Sequence, residues 1–229
     1  MKKNNKELEE MIFGKTSFGL EEERRIYHKF FKDWQTNHDY IYKRFGIGFN
    51  QKILDIGCNY GYNLIHFSPD SVGTEANKTA ADFGKNIGLN IVVVNIEDDL
   101  ASVGQGFDLI WCSDVLPHLI SPYKFLYDCR RLLKKDGKIM IQVPLMSIFN
   151  MHRSSCHLYA FNKKSLLYTI EMAGYRIIKT SGFLRHKPRW FNFIFEPLLQ
   201  IFGGNIWVSA EKLENWVPSF ERTYLPSWF

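Results

Sequence analysis

The residues whose order most clearly suggests chemistry are Ile53-Leu54-Asp55-Ile56-Gly57-Cys58-Asn59-Tyr60-Gly61. An apolar run carries an acid near its end and passes into a turn with two glycines. In open α/β sheets ligands bind beyond the carboxyl ends of strands, and a glycine lets backbone amides approach a ligand with no Cβ in the way. A dinucleotide site would need a GxGxxG turn to seat its pyrophosphate, whereas this turn is Gly-x-x-x-Gly. Asn59 stands between the glycines, and asparagine tolerates positive φ better than most residues.

Further along, Ser71-Val72-Gly73-Thr74 runs into Glu75. A carboxylate at the end of a second strand can accept hydrogen bonds from both hydroxyls of an unphosphorylated ribose, so Glu75 points to an adenosine-containing cofactor without choosing among them. Asn95-Ile96-Glu97-Asp98 follows a third apolar run, and Phe107-Asp108-Leu109-Ile110-Trp111-Cys112-Ser113 runs into Asp114-Val115-Leu116-Pro117-His118.

This ordered set resembles the class I S-adenosylmethionine-dependent methyltransferases. The run from Ile53 to Gly61 is similar to their motif I, acid-x-Gly-x-Gly-x-Gly, with Asn59 in the place of the middle glycine. The resemblance implies that Asp55, Gly57, Cys58, Asn59 and Gly61 line the cofactor, that Glu75 holds its ribose and that Asn95 and Ile96 hold its adenine. It also places Ser113 beside the methyl donor, with His118 following. It continues through Leu132 to Lys138 and on to Val143-Pro144, and covers roughly residues 50 to 180. The later stretch His157-Leu158-Tyr159-Ala160-Phe161-Asn162 resembles the subgroup that methylates small metabolites such as quinones, sugars and lipids, where a histidine before the aromatic pair often lies near the substrate. The chain has no Asn/Asp-Pro-Pro-aromatic segment after the fourth strand, which nucleobase amino-methylating enzymes of this fold commonly carry.

Methyl transfer from a sulfonium is an in-line displacement, so a protein must position the acceptor and, for a hydroxyl, remove its proton. Neutral histidine suits that task, because its reference pKa of about 6.5 lies close to working pH. His118 and His157 are the candidate bases, with His152 a third. No compact cluster of carboxylates has ligand-like spacing, so no metal is expected, although Asp114 with His118 leaves a divalent ion open. The expected reaction is O-methylation of a small molecule. The alternatives are an RNA or protein methyltransferase, or a scaffold that binds the cofactor without reacting.

The elements that must position these residues follow from the pattern. Apolar β-branched runs alternate with helical stripes from about Gln51, which argues for a parallel sheet covered by helices on both faces. Strands are expected at Lys52–Ile56, Ser71–Glu75, Ile91–Asn95, Phe107–Ser113, Lys138–Val143, Tyr175–Thr180 and Asn205–Ala210. They make a Rossmann-like, mostly parallel sheet of seven strands with the last antiparallel. A helix is expected over Tyr123–Leu133, stopped by Lys134-Lys135-Asp136-Gly137 with the glycine as a left-handed cap. A second runs from an Asn162 N-cap to Gly174. Residues 1–45 form a helical preface, with Ile26, Phe30, Phe31 and Trp34 spaced by three and four. Residues 46–212 form the catalytic domain, with an aromatic-rich insertion at 183–204, and 213–229 a tail. The preface and the insertion are expected to cover the acceptor pocket, since Trp190, Phe191, Phe193, Ile194, Phe195, Leu198 and Leu199 are too many apolar residues to leave exposed. Basic residues flanking that cluster leave peripheral membrane contact open.

Composition sets the outer bounds. The 229 residues are 45% apolar and 23% charged, an ordinary globular balance. The net charge of +5 is spread over the chain, apart from Arg24-Arg25, Arg130-Arg131 and the stretch from Arg185 to Arg189, so no nucleic-acid partner is expected. Cys58, Cys112, Cys129 and Cys156 form no CxxC pair and read as buried thiols of a cytoplasmic protein. No run approaches the roughly 18 apolar residues of a membrane span.

Overall fold

The computed structural model describes residues 3–32, 40–48, 50–146, 156–183, 189–202 and 204–218. Trp34 and His152 lie outside the described residues. The chain forms two compact units, Met1–Ser113 and Asp114–Phe229.

The first unit opens with helix α1 (Asn5–Ile12), where Asn4 and Glu7 cap each other's backbone in a reciprocal box. Helix α2 (Leu20–Ile26) follows and passes directly into a π-helical turn at Tyr27–Lys32, then a short helix α3 (40–45). Strand β1 (Ile53–Ile56) pairs in parallel with β2 (Val72–Glu75) on one side and β4 (Phe107–Ser113) on the other. Helix α4 (Lys78–Asn86), capped by Asn77, leads to β3 (Ile91–Val93), which pairs in parallel with β2. Every residue of β1 is buried, which is why it reads as an unbroken apolar run around one acid rather than as an alternation.

The preface packs against the body of this unit. Ile26, Tyr27 and Phe31 share a buried cluster with Phe83 of α4, with Ile87 just past its end and with Ile65, which follows β1; Phe30, Tyr60 and Tyr62 close its edge. Glu23 on α2 is buried against the turn that follows α1. Its carboxylate accepts from the Gly14 amide at 2.9 Å, from the Thr16 amide at 3.3 Å and from the Thr16 hydroxyl. Burial opposes the charge of Glu23, yet these donors hold its pKa below the usual carboxylate value.

The second unit carries helix α5 (Pro122–Cys129), strand β5 (Leu133–Pro144), helix α6 (Lys163–Met172), strand β6 (Tyr175–Phe183), helices α7 (Arg189–Ile194) and α8 (Glu196–Phe202), and strand β7 (Asn205–Lys212). Strand β7 lies antiparallel between β5 and β6. The seven strands follow the order β3-β2-β1-β4-β5-β7-β6, the expected mostly parallel sheet with an antiparallel last strand. Asn162 caps α6 as expected, with Ser165 completing a capping box, and Gly174 follows its end at φ 89°.

The expected helix over Tyr123–Leu133 is corrected: it ends at Cys129, and Lys134 to Gly137 belong to β5. Gly137 does not take positive φ. The pairing of β5 with β7 begins at Lys138 opposite Glu211, and Lys134, Lys135 and Asp136 before it are an exposed stretch of strand rather than a helix stop. The burial expected for the apolar side chains of the insertion is corrected too. Trp190, Phe193, Ile194 and Leu198 are 62%, 67%, 60% and 53% exposed, whereas Asn192 on α7 and Leu199 on α8 are buried. No helix among the described residues is long and apolar enough to cross a membrane.

Candidate active site

In the first unit the chain runs from β1 through β2 to β3 on one side, then returns to β4 on the other side of β1. The strand order therefore reverses between β1 and β4, and a crevice opens beyond their carboxyl ends at such a switch point. Ile56 stands opposite Cys112, so the turn after β1 and Ser113 at the end of β4 are at the same level.

Conformation explains the residue types in that turn. Gly57, Asn59 and Gly61 have φ of 65°, 53° and 84°. Left-handed geometry thus occurs at all three motif positions, and asparagine reproduces what glycine would allow at the middle one. The Asn59 side chain also accepts from the Tyr60 amide at 2.9 Å, a bond glycine could not make. A Cβ on Gly61 would come within 2.2 Å of Leu89 Cδ1. Tyr60 is clamped between Phe30 and Phe83, with ring centroids 5.0 and 5.4 Å away, so the preface steadies the turn.

Glu75 ties the turn to β2. Its Oε2 accepts from the Asn59 amide at 2.8 Å and its Oε1 from the Asn77 amide at 2.8 Å. Cys58 is fastened alongside, its amide donating to the Thr74 carbonyl at 2.9 Å. Each carboxylate oxygen keeps a further lone pair, which suits the vicinal hydroxyls of a ribose. This donor and acceptor set, with backbone held open by left-handed residues, fits an adenosine-bearing cofactor.

Asp55 sits behind the turn, only 1% exposed. Burial pushes its carboxyl well above the usual range, the Leu64 amide bonded to it pulls the other way, and the charge of Glu75 raises it further. Among the described residues its Oδ2 has no hydrogen-bond partner. Cys58 is buried, and burial pushes its thiol up as well, with Asp55 and Glu75 adding to the effect, so it is no nucleophile. Asn95 organises its own loop: its amide group donates to Asp98 Oδ2 at 2.9 Å and its Oδ1 accepts from the Glu97 amide at 3.2 Å. Ile96 is half-buried beside it, and Ser113 is half-buried at the end of β4.

In the second unit both candidate bases come together. His118 ends a single 3-10 turn at Leu116–His118, and its ring lies 4.6 Å from that of His157, at 82°. The segment bearing His157 is pinned by backbone: the Pro117 carbonyl accepts from Leu158 at 2.7 Å and Tyr159 at 3.1 Å, and the Tyr159 hydroxyl donates to the Ile120 carbonyl at 2.8 Å. His118 Nδ1 lies 3.0 Å from the Cys156 carbonyl oxygen. That oxygen can only accept, so Nδ1 carries the proton and Nε2 presents a lone pair.

Cys156 corrects the reading of all four cysteines as buried, since Cys58, Cys112 and Cys129 are buried but Cys156 is exposed. It belongs to no CxxC pair. Its place next to His157 in sequence was the available signal.

A methyltransferase-domain family, Methyltransf_23, matches residues 24–217 of the chain. The ubiquinone biosynthesis O-methyltransferase of Salmonella paratyphi A is 28% identical over 114 residues, 44% of this chain and 45% of that enzyme. Its namesake from Coxiella burnetii is 25% identical over 158 residues, 58% of this chain and 67% of that enzyme. Against the first group of such relatives the chain spans less than half their length, as the 45% for the Salmonella enzyme illustrates. A SAM-dependent methyltransferase from Archaeoglobus fulgidus shares the fold at 20% identity and a TM-score of 0.58, over 75% of this chain and 91% of that one.

Proposed function

The chain belongs to the methyltransferase-domain family, and on the premise that it is an S-adenosylmethionine-dependent methyltransferase we propose that it methylates an oxygen of a small molecule. S-adenosylmethionine supplies a methyl group on a sulfonium. Glu75 would take the ribose hydroxyls, the Gly57–Gly61 turn would line the cofactor with its open backbone, and the loop begun by Asn95 and Ile96 would take the adenine. Asp55 ties β1 to the Leu64–His66 turn of helix that follows, through the Leu64 amide. Ser113, level with that turn, lies beside the donor end. The resemblance to ubiquinone O-methyltransferases supports a small hydroxylated acceptor, and the three buried thiols fit a reducing cytoplasm.

The observation that carries the oxygen assignment is the anchored tautomer of His118. An imidazole held by Nδ1–H to a backbone carbonyl keeps Nε2 as an oriented proton acceptor, and His157 packs edge-on against it. In the reaction the acceptor hydroxyl would give its proton to Nε2 as its oxygen takes the methyl group, with the carbon–sulfur electron pair staying on the sulfur of the departing S-adenosylhomocysteine. The test is turnover of S-adenosylmethionine with hydroxylated metabolites and, separately, with RNA. His118→Ala should lower turnover by about 10²–10⁴-fold at unchanged S-adenosylhomocysteine affinity. Full activity in both His118→Ala and His157→Ala would rule out an imidazole base.

A further inference from the structure

We propose that His118, Cys156 and His157 form a binding site for a soft divalent cation, with zinc the ion they suit best. The ligand atoms these residues offer, one imidazole nitrogen from each histidine and the Cys156 sulfur, all lie within 4.8 Å of one another. Around a tetrahedral zinc, bonds of about 2.0–2.1 Å to nitrogen and 2.3 Å to sulfur put neighbouring ligand atoms about 3.3–3.6 Å apart. Closing the gap takes side-chain movements on the order of 1 Å, within the reach of ordinary rotation about χ1 and χ2.

Two further features turn proximity into a site. Metal-binding histidines usually donate the hydrogen of their other ring nitrogen to a carbonyl or carboxylate, which fixes tautomer and orientation. His118 already does so toward the Cys156 carbonyl at 3.0 Å, so its Nε2 lone pair is prepared. The two segments are also held together by bonds that do not depend on an ion. The Pro117 carbonyl takes both the Leu158 and Tyr159 amides, and the Tyr159 hydroxyl reaches the Ile120 carbonyl. The scaffold is therefore assembled before the metal arrives, and little ordering is left to be done on binding.

The donor set selects the ion. Two imidazoles and a thiolate are borderline-to-soft ligands that favour zinc, while magnesium and calcium require oxygen. His118 and Cys156 are exposed and His157 is half-buried, so an ion has an entry path and a water can complete its coordination. On binding, the Cys156 thiol releases its proton to solvent and the sulfur coordinates as thiolate. The ion takes the same Nε2 lone pair that would accept a proton from an acceptor hydroxyl, so zinc loading and imidazole base chemistry exclude each other at His118.

Zinc is titrated into the full-length, reduced protein against a chromophoric chelator near neutral pH, and cobalt is added to a parallel sample. The expected result is one equivalent of tightly bound zinc, and a thiolate-to-cobalt charge-transfer band in the near ultraviolet. Cys156→Ser changes an exposed side chain and leaves the carbonyl that anchors His118, so its fold should be kept, as thermal unfolding will verify. It should lose the band and weaken zinc binding by at least about a hundredfold, more than loss of an outer partner costs; His157→Ala should weaken it similarly. Absence of stoichiometric binding by folded wild type, or an undiminished band in Cys156→Ser, overturns the proposal. S-adenosylhomocysteine binding by the same samples reports separately on the cofactor pocket, so failure of the metal site and failure of the methyl-transfer reading are told apart.

Discussion

Replacing Glu75 tests the cofactor pocket most directly, because its carboxylate has two tasks that can be separated. In the folded chain it accepts two backbone amides, Asn59 at 2.8 Å and Asn77 at 2.8 Å. The bond to Asn59 is half-buried and the one to Asn77 exposed, so water replaces the second more readily than the first. Glu75→Ala should therefore cost stability mainly through the Asn59 bond, about 1.5–3 kcal/mol for a charged hydrogen bond. Cofactor binding loses the ribose contacts in addition, about 1–3 kcal/mol, a roughly 5- to 150-fold weaker Kd for S-adenosylhomocysteine. Glu75→Gln should fall between, since whichever way the amide turns, its NH₂ faces one backbone donor. Calorimetric titration gives Kd, and urea unfolding gives stability. A 2′-deoxy analogue of the ligand completes a double cycle: wild type should discriminate against it and Glu75→Ala should not. Equal discrimination in both proteins, or wild-type affinity in a folded Glu75→Ala, would refute the ribose assignment.

Substitutions at three other residues have defined outcomes. Asn59→Ala should lose about 1–2 kcal/mol in urea unfolding from its left-handed backbone, and Asn59→Gly clearly less; the reverse order would mean that φ is not what selects asparagine there. Asp55 has its folded-state pKa raised by burial, so the folded chain keeps a proton that the unfolded chain has released. Its contribution is complete below the ordinary carboxylate range and is lost as pH rises toward the folded value, by at most about 1.4 kcal/mol per pH unit. Asp55→Asn should flatten that decline, and an unchanged slope would assign it to another group. Trp190, 62% exposed on α7, should drive association with anionic vesicles, and Trp190→Ala should weaken cosedimentation about tenfold or more, since burying such a ring is worth on the order of 2 kcal/mol. Absence of any vesicle binding by wild type would count against a membrane role for this face.

What the sequence made legible was local. Strand β1 could be read because a fully buried parallel strand is written as consecutive apolar residues, and the turn after it because left-handed backbone restricts the choice to glycine and asparagine at Gly57, Asn59 and Gly61. Asn162 and Gly174 marked both ends of α6 for the same reason, since caps depend on one residue and its neighbours. The stop at Lys134 to Gly137 was misread because a polar, glycine-bearing stretch suits a helix end and an exposed strand lead-in equally; only pairing with β7, more than seventy residues later, separates them.

The histidine and cysteine cluster was illegible for a stronger version of the same reason. His118 and Cys156 are 38 residues apart, and what unites them is a set of backbone bonds from Pro117 and Ile120 to Leu158 and Tyr159 that have no side-chain signature in sequence, the Tyr159 hydroxyl excepted. A carbonyl acceptor exists at every residue, so the bond that fixes the His118 tautomer leaves no trace in the residue types that make it. The chemistry of this cluster therefore depends on the 156–159 segment staying docked. Removing the Tyr159 hydroxyl should loosen both its proton-accepting and its metal-binding capacity while leaving every candidate ligand in place. Tyr159→Phe, compared with Cys156→Ser, separates the contribution of the scaffold from that of the ligands. Zinc affinity lowered by much less than in Cys156→Ser, but measurably below wild type, is the expected result, and affinity equal to wild type would show that the backbone bonds to Pro117 hold the segment alone.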